Sequence, residues 1–173
     1  MPNSTQDFSF FEFSASQDVS LRTDFILLMA DTTLYRCNRV DQIIADYKKV
    51  PGIYFWVMRH GGRRFRIYIG KTNSMSNRIQ NYVVDFQPHS PNDYKLRIFQ
   101  EFLAGNVPGA TLDLYFSPKS LTELTQAENH AVSTYEPLLN QRRRPSADAR
   151  AALRDAFSRY YRSTFEQLLQ NND

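Results

Sequence analysis

Two near-mirror triplets, Gly52-Ile53-Tyr54 and Tyr68-Ile69-Gly70, bracket a β-rich stretch that is interrupted once, at His60-Gly61-Gly62. The runs Gly52 to Met58 and Arg64 to Ile69 carry the β-branched and aromatic residues that strands favour, and the segment between them reads as a hairpin loop. A geometric constraint follows. The two tyrosines stand an even number of positions apart, so pairing them across the hairpin puts both rings on one face of the sheet. That pairing needs an odd loop centred on Gly61, or an equivalent bulge. A two-residue loop on Gly61-Gly62 in an unbroken hairpin would send the rings to opposite faces.

The flanking sequence supplies the other layers. Residues 1–20 carry no firm period, and Phe8 to Phe13 reads as a short strand or a packed arm. Phe25 to Ala30 fits either strand or helix. Val40 to Lys48 predicts a helix with Asp41 as N-cap, stopped by Pro51. Ser74 to Val84 predicts a helix with Met75, Arg78, Ile79 and Tyr82 on one face. Asp93 to Leu103 predicts another, through Tyr94, Ile98, Phe99 and Phe102. Thr111 to Phe116 alternates, turning Leu112, Leu114 and Phe116 inward and Asp113 to solvent. Ser120 to Tyr135 predicts a helix opened by a Ser120/Glu123 capping box and stopped by Pro137. A last helical stretch runs from Ser146 to Leu169. The expected fold class is α+β (α/β in the broad sense): a small three-stranded antiparallel sheet flanked by helices. The expected divisions are an N-terminal extension at 1–50, a core at 51–140 and a basic helical extension at 141–173.

No apolar run approaches the roughly 18 residues of a membrane span, and no secretory signal opens the chain, so no membrane partner is expected. The single cysteine, Cys37, excludes an intrachain disulfide and offers no zinc pattern, which makes the cytoplasm the default compartment. Net charge is only +3, but the cations cluster. Between Pro51 and Val84 stand Arg59, Arg63, Arg64, Arg66, Lys71 and Arg78 without one Asp or Glu, and Arg142, Arg143 and Arg144 open a second basic segment. Two basic segments around a near-neutral middle suit a polyanion such as nucleic acid; scattered solvated arginines are the plainer alternative.

Three further residues bear on chemistry. Arg78, on the apolar side of its helix, either snorkels over the core or clamps a phosphate with its fork. Glu128 interrupts the inward stripe of Leu121, Leu124, Ala131 or Val132, and Tyr135. A carboxylate there needs a partner, which would be Arg78, a metal ion, or both. Asn140, closing Pro137-Leu138-Leu139-Asn140, is either a turn residue or an amide that positions a phosphate or a metal-bound water.

Taken in order, Gly52-Ile53-Tyr54, Tyr68-Ile69-Gly70-Lys71-Thr72, Arg78, Glu128 and Pro137-Leu138-Leu139-Asn140 resemble the GIY-YIG nuclease family over about Pro51 to Asn140. Tyr82 stands where many members carry histidine; the excision-repair incision nucleases resemble the version with tyrosine. The resemblance implies hydrolysis of DNA phosphodiesters by an activated water, with one Mg²⁺ or Mn²⁺ on Glu128 and Arg78 on the non-bridging oxygens. It makes Tyr54 the first choice for general base and Lys71 its rival, with Tyr68 orienting water or phosphate. Substrate contacts are expected from Arg59, Arg63, Arg64, Arg66 and Arg142 to Arg144. Within the family, one catalytic core with short flanks is most like a type II restriction-like endonuclease. Such an enzyme would often act as a homodimer beside a cognate methyltransferase. A structure-specific or repair nuclease is the alternative. A non-catalytic nucleic-acid-binding module is the alternative of another class.

Overall fold

A computed structural model describes residues 6–32, 40–84, 99–100, 103–105 and 107–140. In chain order these form a 3-10 helix (Gln6–Phe11), α1 (Ala15–Asp24), β1 (Ile26–Thr32), α2 (Val40–Asp46), β2 (Gly52–His60) and β3 (Arg63–Thr72). Then come α3 (Met75–Ile79), a π-helical turn (Gln80–Val84), β4 (Thr111–Pro118), α4 (Leu124–Tyr135) and a 3-10 turn (Leu138–Asn140). The strands make one antiparallel sheet of four, not three, in the order β1-β4-β2-β3. The extra strand is the Phe25–Ala30 run that local sequence left undecided. Short apolar runs are strand or helix according to what they pack on, and here β4 offers an edge.

Helices cover both faces. One face joins Ile53, Phe55, Val57, Ile69 and Tyr115 to Leu21 and Phe25 at α1 and to Ala131 and Tyr135 of α4. The other packs Tyr54, Trp56, Met58, Leu114 and Phe116 against α2, α3 and the aromatic N-terminal turn. Double coverage explains the unbroken apolar run of β2, whose residues Gly52 to Met58 are all buried. It also overturns the solvent-facing placement of Asp113. That side chain is 2% exposed and pairs with Arg59 at 2.9 Å, because its face of β4 lies under α1 and α4.

The described residues of the first 50 are built into this body. Ser14 caps α1 in a capping box with Gln17, β1 joins the sheet, and Phe8 and Phe11 lie in the core. Asp41 stands inside the first turn of α2 rather than before it. The predicted Ser120 start of α4 is four residues early, the opposite displacement. Glu123 accepts from the Ser120 N–H and hydroxyl, but the chain turns there, Leu121 is exposed, and the helix begins at Leu124. The αL residue Glu136 and Pro137 end it. The helix predicted from Asp93 is seen only in part, with Phe99 and Leu103 buried; Tyr94, Ile98 and Phe102 lie outside the described residues, as do Cys37 and residues 141–173. No helix among the described residues is long and apolar enough to cross a membrane.

Candidate active site

The hairpin closes with a two-residue loop. His60 pairs with Arg63, and Gly61 and Gly62 both take positive φ, as a tight right-twisting turn requires. The two rings still reach one face because β3 carries a bulge. Trp56 pairs with Tyr68 but Val57 with Arg66, leaving Ile67 as the extra residue. The bulge rather than an odd loop resolves the parity. The tyrosines are therefore diagonal neighbours, with ring centroids 6.2 Å apart, and not a direct pair. Tyr54 lies opposite Gly70.

That pairing gives the motif glycines a steric reason. A Cβ on Gly70 would overlap the Tyr54 hydroxyl and Cζ and approach Cε2 to 2.9 Å. The phenol lies flat across the glycine. A Cβ on Gly52 would come within 2.6 Å of the Phe116 ring. Each glycine admits an aromatic ring from the neighbouring strand.

Tyr54 is 1% exposed. Its hydroxyl accepts from Arg78 Nε at 3.1 Å and stands 3.1 Å from the Tyr82 hydroxyl, which accepts from Arg78 Nη2 at 2.7 Å. The guanidinium also lies 4.3 Å over the Tyr82 ring centre. Arg78 thus leaves the apolar side of α3 through two phenols, with Met75 and Ile79 packed on either side. The turn after α3 widens to a π-helix, a distortion often found at functional sites, and Tyr82 sits within it. Burial, followed by the nearby Tyr54, pushes the Tyr82 phenol well above its ordinary value, with Arg78 opposing. Tyr68 is the more open of the motif tyrosines. Its phenol is also raised, first by burial and then by Tyr54, with Arg78 opposing and Glu128 adding to the rise.

Glu128 comes from the opposite face of the sheet. Its oxygen Oε2 meets Lys71 Nζ at 3.2 Å, and Lys71 also donates to Thr125 Oγ1 at 3.1 Å. The carboxylate is 23% exposed, so it is a rim group rather than the buried acid that the stripe suggested, and its partner is Lys71 rather than Arg78. Among the described residues no three acidic, histidine or cysteine side chains gather as a metal cluster. One partly exposed carboxylate suits an ion that keeps most of its waters, such as Mg²⁺, and does not suit a fully dehydrated site.

Asn140 closes the 3-10 turn, the plainer of the two readings, and its amide has a further task. Its Oδ1 accepts from the Ile69 N–H at 2.8 Å and its Nδ2 donates to the Ile69 carbonyl at 2.9 Å. The amide acts as a one-residue strand on the open edge of β3, fixing the backbone between Tyr68 and Gly70.

No protein-family model matches the chain, and no curated protein matches it. Among solved structures it is similar to the GIY-YIG N-terminal endonuclease domain of UvrC from Thermotoga maritima. A point mutant of that domain, bound to its catalytic divalent cation, is 19% identical with a TM-score of 0.38, covering 62% of this chain and 100% of that chain. The magnesium-bound form is 19% identical with a TM-score of 0.37, covering 61% and 100%.

The arginines near the hairpin serve the fold. Arg63 pairs with Glu12, Arg64 with Asp18 at 2.7 Å and Arg59 with Asp113. Arg66 is 5% exposed and donates to the carbonyls of Phe10, Phe11 and Tyr135, tying the N-terminal turn to the C-terminal end of α4. The Arg66 guanidinium is thereby bound into the fold, and the other three are matched with carboxylates contributed by distant segments. Arg142, Arg143 and Arg144 lie outside the described residues. A groove of about 380 Å³ runs beside the site along α3, where Lys71, Thr72, Ser74 and Arg78 meet three asparagines. Sequence reading missed those asparagines; their recurrence at every fourth position was the available signal.

Proposed function

We propose that the chain is a metal-dependent DNA endonuclease of the GIY-YIG type. One observation carries the proposal: Lys71, paired with Glu128 of α4 at 3.2 Å, lines the same groove as Arg78 of α3, whose fork two phenols hold. A structural ion pair alone would not require two phenols to aim the neighbouring guanidinium.

In this reading Arg78 and Lys71 receive the phosphate from the groove, and Tyr54 and Tyr82 hold the Arg78 fork in place. Glu128 would hold a divalent cation, Mg²⁺ or Mn²⁺, which when bound supplies charge stabilisation at the scissile phosphate. The reaction forms a bond from a water oxygen to phosphorus and breaks the bond from phosphorus to a sugar oxygen. The water loses a proton and the leaving oxygen gains one. Tyr54 was the first candidate for the proton acceptor, but its hydroxyl is enclosed and already accepts from Arg78. Tyr68 and Lys71 remain as the groups on the open side.

The test is plasmid nicking with Mg²⁺ against EDTA, comparing wild type with Glu128→Gln and Lys71→Met. Metal-dependent cutting that falls at least 100-fold in Glu128→Gln, on the order of a lost electrostatic stabiliser, supports the proposal. Cutting that persists in Glu128→Gln, or no cutting of duplex, branched or single-stranded DNA by wild type, refutes it and favours a binding module. Discrete fragments from a long duplex would assign a type II restriction-like activity, and a homodimer measured in solution would accord with it. Cutting confined to junctions or flaps would assign repair.

A further inference from the structure

We propose that Asn73, Asn77 and Asn81 form a base-reading ladder that gives this site its sequence preference. The inference rests on the proposed DNA substrate and extends it. The three asparagines line the same groove as Lys71 and Arg78, and the groove contains no carboxylate. Asn73 and Asn77 are exposed and Asn81 is half-exposed. None of the three makes a side-chain hydrogen bond among the described residues, whereas Ser74 and Thr72 beside them are bonded to one another. Asn77 and Asn81 are four apart on one side of α3 and its π-helical extension. Asn73 stands just before the Ser74 cap of α3; from Asn77 to Asn81 the helical chain advances about 6 Å at roughly 1.5 Å per residue, close to two base-pair steps of roughly 3.4 Å.

Chemistry selects the base edge over the backbone. A phosphate offers acceptors only, so each carboxamide oxygen would face it unmatched. A base edge in the major groove offers donors and acceptors side by side, and a carboxamide answers both, most directly the N6 and N7 of adenine. Lys71 and Arg78 fix the backbone and thereby the register; the neutral amides lining the same groove are where sequence can be read. The major groove admits a helix, and α3 is the helix that carries Arg78.

The experiment uses the full chain and a duplex pool randomised around a fixed cut-site region, with two readouts. Binding is selected in EDTA, and cut ends are sequenced in Mg²⁺. Wild type should enrich a preferred sequence. Asn77→Ala combined with Asn81→Ala should bind that sequence about 10-fold or more weakly, with relaxed preference at one or two positions beside the cut. The salt dependence of binding should not change, because no charge is lost. Matching circular dichroism melts would show that the exposed substitutions leave the fold intact. Unchanged affinity and pattern would overturn the ladder. So would an equal loss on every sequence with the cut pattern preserved, which marks a backbone contact, or a wild type with no sequence preference at all. A wild type that enriches a sequence but cuts nothing would refute the nuclease while leaving the ladder standing.

Discussion

Gly70→Ala tests the steric logic of the site most directly. The added methyl would overlap the end of the Tyr54 ring, and that ring cannot swing aside: it is 1% exposed, bonded to Arg78 and Tyr82, and packed near Tyr68. Gly70 does not have a positive φ, so steric overlap rather than backbone strain sets the cost. Overpacking costs about 1–3 kcal/mol, and moving the ring also loosens a bond to a charged donor, worth about 1.5–3 kcal/mol. The expected loss is about 2.5–6 kcal/mol. At roughly 2–4 °C per kcal/mol for a chain of this size, the midpoint should fall by about 5–24 °C. Urea melts of wild type, Gly70→Ala, Tyr54→Leu and the double variant make the measurement a cycle. Removing the ring removes the obstacle, so Gly70→Ala should cost at least about 1 kcal/mol less in the Tyr54→Leu background. Equal costs in the two backgrounds would show that the ring does not cradle on the glycine.

Three other expectations follow from named contacts. Arg66→Leu leaves two buried carbonyls and a partly buried one without their donor and should cost about 3–5 kcal/mol in urea melts, whereas Arg63→Gln, at an exposed pair, should leave the melt little changed; a reversed order would contradict the assignment of Arg66 to the fold. If the groove is the DNA face, Lys71→Gln with Arg78→Gln should flatten the slope of log affinity against log salt by about 2, and Arg63→Gln with Arg64→Gln should leave it within experimental scatter. The Arg63 hydrogen bond lowers the Glu12 carboxyl. Its stabilisation is then complete above the unfolded value of about 4.3 and lost as pH falls through the lower folded value. Melting midpoints of Glu12→Gln should accordingly converge on wild type as acid is added below about pH 4; a gap that widens in acid would reverse the sign.

Local pattern in the sequence determined the hairpin, the strand at β4 and the helices α2 and α4 to within a few residues; it singled out Arg78 and Glu128 by their place on apolar helix faces, while the interest of Tyr54, Tyr68 and Lys71 came from the motif resemblance. Periodicity and turn chemistry are written in neighbouring residues, so those features were readable without coordinates. What only the tertiary structure decided depends on residues distant in the chain. Whether Phe25 to Ala30 is a strand depends on the edge of β4. Whether Asp113 meets solvent depends on α1 and α4 above it. Whether four arginines contact a ligand or the fold depends on Glu12, Asp18, Asp113 and three backbone carbonyls. The bulge at Ile67 is the sharpest case: parity required some irregularity, but only packing of Ile67 beside Trp56 and Phe65 fixed where one strand gained its extra residue.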